Sequence, residues 1–201
     1  MGSPRRLIKH IFLNTRHMKK LAILFPALLL VPFAHALKVG DDSPCFSAKT
    51  DEGKEWSACD FLDKKHVVVY FYPAAMTPGC TKQACSYRDG AGKLSKLDAV
   101  VVGVSGDNVQ SLKYFKTAEN LNFTLLSDHK GEVAEAFGVP TRAGGKIQRT
   151  VEGKEVTLSR ANTASRWTFV INKKGKVIYK NSKVNPTKDL AEVVKAIKAD
   201  K

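Results

Sequence analysis

Residues 65–92, KHVVVYFYPAAMTPGCTKQACSYRDGAG, constrain this chain more than any other stretch. His66 to Tyr72 is a run of β-branched and aromatic residues, the composition of a strand buried on both faces. Pro73 ends it, because proline has no N–H to give a central ladder. Thr77-Pro78-Gly79-Cys80 then reads as a helix start, with Thr77 as the N-cap and Pro78 at the first helical position. Cys80 falls in the first turn, where the positive end of the helix dipole favours a thiolate.

Cys85 follows on the same predicted helix. Residues five apart on a helix are rotated by about 140° and separated by about 7.5 Å along the axis. A disulfide needs Cα atoms within roughly 7 Å and converging Cβ vectors. Cys80 and Cys85 can therefore bond only if the helix unwinds locally. The plain alternative is two helical thiols, one of them buried. The position of Cys80 at a cap, rather than mid-helix on an apolar face, weakens it.

The rest of the chain alternates strand and helix. Phe46 to Lys49 and Glu55 to Ala58 form a predicted hairpin across Asp51-Glu52-Gly53. Ala99 to Ser105 is a second buried strand. A helix follows from about Asn108 to Glu119, with Leu112, Phe115 and Ala118 as its core stripe. Phe123 to Leu126 reads as a strand, and Glu132 to Phe137 as a short helix stopped by Gly138 and Pro140. Lys146 to Val151 and Lys154 to Leu158 flank Glu152-Gly153 as a further hairpin. Arg166 to Ile171 and Lys176 to Lys180 are strands joined at Lys174-Gly175. A last amphipathic helix covers about Thr187 to Ala199, with Leu190, Val193, Val194 and Ile197 inward. This order predicts a three-layer α/β sandwich with a mixed sheet.

The first 36 residues differ in kind. They hold Arg5, Arg6, Lys9, Arg16, Lys19 and Lys20 and no acid. An apolar run from Leu21 to Phe33 ends in Ala34-His35-Ala36. This is the n-, h- and c-region pattern of a secretory signal peptide, cleaved after Ala36. Met18 is an alternative start. An uncleaved anchor is the competing reading, but the run is shorter than the roughly 20 residues a spanning helix needs, and Pro26 and Pro32 interrupt it. Residues 37–201 are then one domain, exported to the periplasm or beyond, with no stable hold on the membrane after cleavage.

The whole chain carries 33 basic and 19 acidic residues, for a charge of +14; without the six basic residues of the leader, 27 remain against 19, or +8. The remaining lysines are scattered without interleaved aromatics, which speaks for a solvated surface and against nucleic-acid binding. Only His66 and His129 remain beyond the leader, so no metal site is expected.

The stretch around Cys80 resembles the peroxiredoxins. The family pattern of Pro, three residues, Thr, two residues and Cys is met by Pro73, Thr77 and Cys80. The spacing of Cys80 to Cys85 resembles the branch named for bacterioferritin comigratory protein and peroxiredoxin Q, over most of the chain from Leu37. The resemblance implies a thioredoxin-like fold with a peroxiredoxin-type N-terminal hairpin. It implies a thiol peroxidase acting on hydrogen peroxide and organic hydroperoxides without cofactor. Cys80 would be the attacking thiol and Cys85 the resolving one. Thr77 and Arg166 would orient the peroxide, and Pro73 would shield it from water. A thioredoxin-like dithiol would recycle the disulfide, and a monomer is expected. From residue pattern alone Arg166 reads as a surface arginine, with Arg149 and Arg160 as rivals for the role. Pro44-Cys45-Phe46 departs from the Pro-Asp-Phe common in relatives, whereas Gln83 stands where they carry Glu or Gln.

Two other classes compete with this reading. A thioredoxin-type oxidoreductase without peroxidase activity would want Cys-x-x-Cys, and a binding protein that keeps only the fold would be expected to lose Cys80 or Thr77.

Cys45 and Cys59 are candidates for a structural disulfide. Centring the first hairpin on Glu52 pairs Phe46 with Ala58 and Ala48 with Trp56 on one face. It sets Lys49 against Glu55, Ser47 against Ser57 and Cys45 against Cys59 on the other. Two small buried thiols are the alternative.

Overall fold

The computed structural model describes residues 36–200. The leader, apart from Ala36, lies outside the described residues. A seven-stranded sheet runs through the molecule in the order β2-β1-β5-β4-β3-β8-β9. Its strands are β1 (Ser47–Thr50), β2 (Glu55–Ser57), β3 (His66–Phe71), β4 (Ala99–Ser105), β5 (Thr124–Ser127), β8 (Trp167–Ile171) and β9 (Val177–Asn181). β3, β4 and β5 are parallel neighbours, while β8 lies antiparallel to β3, so the sheet is mixed.

β3 is the centre of this sheet because both of its faces are apolar. Successive side chains of a strand point to opposite faces. Val68, Tyr70 and Tyr72 enter one core, and Val67, Val69 and Phe71 enter the other. The first core is closed by α1 (Pro78–Asp89), α2 (Ala91–Ser95), α3 (Val109–Glu119) and α5 (Asp189–Ala199). The second is closed by α4 (Glu132–Ala136) and the N-terminal hairpin. The result is the three-layer sandwich expected from the sequence. Gly103 of β4 lies opposite Tyr70 in the ladder, and a Cβ there would stand 2.6 Å from the Tyr70 ring. Only glycine lets that ring lie flat beneath the helices.

The hairpin register agrees with the sequence reading: Ser47 pairs with Ser57, Ala48 with Trp56 and Lys49 with Glu55. Ala58 N–H donates to Phe46 O at 3.0 Å, and both side chains are buried. Cys45 and Cys59 are joined, with Cα atoms 5.5 Å apart. Cys59 does not continue the strand as expected; it sits in a 3-10 turn over Ala58–Phe61, capped by the Ser57 hydroxyl. Cys45 is exposed rather than buried, which sets aside the alternative of two small buried thiols.

The second hairpin is longer than its apolar pattern showed. β6 (Thr141–Val151) and β7 (Lys154–Ala164) pair along their length as a separate two-stranded sheet. Its base, Thr141 to Gly145, is largely exposed and rich in glycine, so it carries no alternating signal. The tip was legible: Glu152 and Gly153 take φ of 50° and 77°, the left-handed pair of a tight hairpin turn. Leu158 is fully buried, and Ile147 and Val156 pack beside it on the first core.

Candidate active site

α1 begins where β3 ends. Pro73 closes the strand, half-buried, and Ala74 to Thr77 turn the chain into the helix. Two other elements fasten this turn. Asp107, buried just past β4, accepts the Ala75 N–H at 2.9 Å and the Ser105 hydroxyl at 2.8 Å. Burial pushes the Asp107 carboxyl up, while those two donors and the Arg160 charge pull it down. From β6, Arg149 Nε donates to the Met76 carbonyl at 2.9 Å. Met76 has φ of 55°, a left-handed backbone that a long side chain rarely adopts. Its neighbours hold it there.

Thr77 occupies the N-cap by its backbone, with φ −99° and ψ 150°, but its hydroxyl does not cap the helix. It donates to the Ala74 carbonyl at 2.9 Å. This corrects the sequence reading. A threonine hydroxyl in a tight turn bonds the nearer backbone carbonyl when the turn presents one. Pro78 has no N–H, and no side chain caps the first turn among the described residues. The N–H groups at the head of α1 therefore point at whatever enters beside Cys80.

Cys80 is 1% exposed and belongs to the first core. Arg166 Nη2 donates to its sulfur at 3.2 Å, and Arg166 Nη1 donates to Gln83 Oε1. The sheet explains the meeting. Phe71 pairs with Trp167, so the residue ahead of β8 lies beside the end of β3, where α1 starts. A Cβ at Gly79 would stand 3.3 Å from Arg166 Nη2, so a glycine before the cysteine leaves room for the guanidinium. The rivals go elsewhere: Arg149 to Met76, and Arg160 Nε to the Thr163 hydroxyl at 3.1 Å.

Cys85 is half-buried, and its thiol donates to Glu119 Oε2 at 3.6 Å. Burial pushes this thiol up, Glu119 pushes it further, and Arg88 pulls the other way. Both Cys80 and Cys85 are free, on an unbroken helix. The Cys45–Cys59 bridge is remote from them. With Val67 it lines a cavity at the start of β3, whereas Cys80 follows the end of β3. Val67 and Phe71 alone lie roughly 13 Å apart along the strand.

Two partners of the site were not legible. Gln83 is fully buried, and its Nε2 donates to Asp189 Oδ2 at 2.7 Å. Asp189 opens α5 and also accepts the Tyr87 hydroxyl at 2.7 Å and the Thr168 hydroxyl at 2.9 Å. An acid at the start of an amphipathic helix reads as a complement to the helix dipole, so its sequence gave no sign of burial.

Residues 39–180 match the model of the AhpC/TSA family. The chain belongs to this family. Within it, the chain is 41% identical over 168 residues to the chloroplastic peroxiredoxin Q of Sedum lineare, covering 83% of this chain and 81% of that one. It is 40% identical over 161 residues to the putative peroxiredoxin bcp of Coxiella burnetii, covering 79% and 97%. Among solved structures it is similar to peroxidoxin BcpB from Mycobacterium tuberculosis, with a TM-score of 0.68 at 33% identity over 83% of this chain and 99% of that one. It is also similar to peroxiredoxin Q of Xanthomonas campestris, with a TM-score of 0.63 at 26% identity over 77% and 90%. These likenesses put the chain in the peroxiredoxin Q branch of the family and agree with its thioredoxin-like fold.

Proposed function

We propose that this AhpC/TSA-family thiol peroxidase reduces hydrogen peroxide and organic hydroperoxides with Cys80 as the attacking thiol and Cys85 as the resolving one. The observation that carries the residue assignment is the Arg166 guanidinium at 3.2 Å from the Cys80 sulfur, at the head of the helix that also bears Cys85. The thiolate attacks one peroxide oxygen, and the O–O bond breaks. The Arg166 charge and the first-turn N–H groups face the oxygens as charge develops on the leaving one. Thr77 and Pro73 line the approach. The products are Cys80 sulfenic acid and water or an alcohol.

Cys85 then condenses with the sulfenic acid, forming the Cys80–Cys85 disulfide and releasing water. On intact α1 the two residues stand about 7.5 Å apart along the axis. Resolution therefore runs through local unwinding of α1. A thioredoxin-like dithiol restores both thiols by exchange. Because both cysteines lie on one helix, resolution requires no second chain, and we assign a monomer. The leader pattern of residues 1–36 assigns residues 37–201 to an exported, periplasmic domain. The Cys45–Cys59 bridge suits an oxidising compartment. The test is peroxide consumption by the purified protein with a thioredoxin-like dithiol; absence of turnover with every dithiol offered and of any peroxide-dependent loss of the Cys80 thiol would reject the reading.

A further inference from the structure

We propose that Asp189 is a positioning residue for Cys80, acting through the amide of Gln83 and the guanidinium of Arg166. The inference rests on Cys80 being the attacking thiol and concerns what fixes its arginine.

Four groups stand in line. Asp189 Oδ2 accepts from Gln83 Nε2 at 2.7 Å; Gln83 Oε1 accepts from Arg166 Nη1; Arg166 Nη2 donates to Cys80 Sγ at 3.2 Å. The direction of every bond is set by the ends. A guanidinium has donors only, and an ionised carboxylate has acceptors only. Gln83 is the one member with both, and it is fully buried, so water cannot correct a wrong orientation. With an acceptor behind it, its oxygen must face Arg166. With a donor behind it, the amide could turn, and an NH₂ would then confront the guanidinium. Asp189 removes that second arrangement.

Asp189 is itself held in place. It is 1% exposed, and the Tyr87 and Thr168 hydroxyls bond the same Oδ2 that takes Gln83. Oδ1 is buried without a partner among the described residues. Burial pushes this carboxyl up and the three donors pull it down. Three elements therefore converge on one oxygen: α1 through Gln83 and Tyr87, β8 through Thr168, and α5 through Asp189 itself. The packing of the last helix is thereby coupled to the arginine beside the thiol.

The test uses near-isosteric exchanges on the full chain, in a Cys85→Ser background so that only the first step is read. Gln83→Glu sets two acceptors against each other, and the pair keeps its geometry only while one proton is shared between them. The ionisable groups that act on Asp189 or feel its charge are Tyr70 of β3, Tyr87 of α1, Tyr179 of β9 and Glu192 of α5, with Arg166 beyond Gln83. The tyrosines are held in their neutral form by burial. The second-order rate of Cys80 with hydrogen peroxide should fall about tenfold or more in Gln83→Glu as pH rises and that proton is lost, the scale of one charge-assisted hydrogen bond. Adding Asp189→Asn supplies an NH₂ to the new carboxylate, while the Tyr87 and Thr168 hydroxyls can accept as well as donate. The double variant should recover to within about threefold of the starting rate and lose that pH dependence. Asp189→Asn therefore restores function in one background and not in the other, which a purely structural role would not produce. A Gln83→Glu rate equal to the starting rate at every pH, or the same effect of Asp189→Asn in both backgrounds, overturns the proposal. A Cys85→Ser chain whose Cys80 fails to react with peroxide would instead remove the functional assignment beneath it.

Discussion

Arg166 Nη2 lies 3.2 Å from Cys80 Sγ, although the two residues are 86 positions apart in the chain. Replacing Arg166 with alanine should slow the first-step peroxide reaction at least about tenfold, the scale of one charge-assisted bond. Lysine should not restore it, because a point charge cannot hold the sulfur and Gln83 Oε1 at once. Stopped-flow rates on folded variants decide the matter, and an unchanged Arg166→Ala rate would pass the role to another group.

Cys80→Ser should abolish peroxide consumption. Cys85→Ser should react once and stop at a sulfenic acid that a sulfenic-specific nucleophile can trap. Sustained turnover by Cys80→Ser would end the assignment.

Arg149 should act on the turn rather than on the sulfur. Its bond to the Met76 carbonyl at 2.9 Å holds a residue in the left-handed region. Arg149→Ala releases that carbonyl and should loosen the start of α1. The expected result is faster Cys80–Cys85 disulfide formation after the sulfenic acid forms, read by rapid quench and thiol counting. A slower resolving step would contradict it.

The Cys85 thiol is raised by burial first and by Glu119 after it, with Arg88 opposing. In a Cys80→Ser background, Glu119→Gln removes one of the raising causes, so the pH midpoint for alkylation of Cys85 should move down. Arg88→Ala removes the opposing charge and should move it up. The same direction of shift in both variants would refute this account.

The Cys45–Cys59 bridge closes a loop of sequence separation 14. On the chain-entropy model such a loop stabilises by roughly 3 kcal/mol, or about 6–12 °C of melting temperature for a domain of this size. Cys45→Ser with Cys59→Ser should lose stability on that scale. The Cys80 rate should stay unchanged, since the bridge lies at the other end of β3. A thiol count on the denatured, unreduced Cys80→Ser, Cys85→Ser protein checks the bridge itself, and two free thiols would rule it out.

N-terminal sequencing of the protein from its native host should read Leu-Lys-Val-Gly. Intact protein, or protein kept in the cytoplasm, would overturn the exported assignment.

What was legible followed short-range rules. The unbroken run of β-branched and aromatic residues from His66 to Tyr72 marked the central strand, and the apolar pairs around Glu52 marked the hairpin register that sets Ala48 against Trp56. The Pro73, Thr77, Cys80, Cys85 spacing marked the candidate site. The Thr77 hydroxyl was misassigned because two backbone partners compete for it and only the folded turn decides between them. Arg166 could be picked out only by family resemblance, because its neighbours in sequence say nothing of the sulfur it meets. Asp189 was invisible for the same reason in stronger form. It lies 106 positions from Gln83 and is brought there by α5 packing across the sheet.

The arm formed by β6 and β7 is its own two-stranded sheet, tied at Ser159 and Ala161 to the segment that follows β4, well away from its tip. Its tip can therefore be shortened two residues at a time, one from each strand, without breaking a bond of the main sheet. Removing the Val151–Lys154 and Thr150–Glu155 pairs would still leave Arg149 paired with Val156. The arm that holds the Met76 carbonyl through Arg149 is thus a module whose length can change separately from the main sheet and from the helix that bears Cys80.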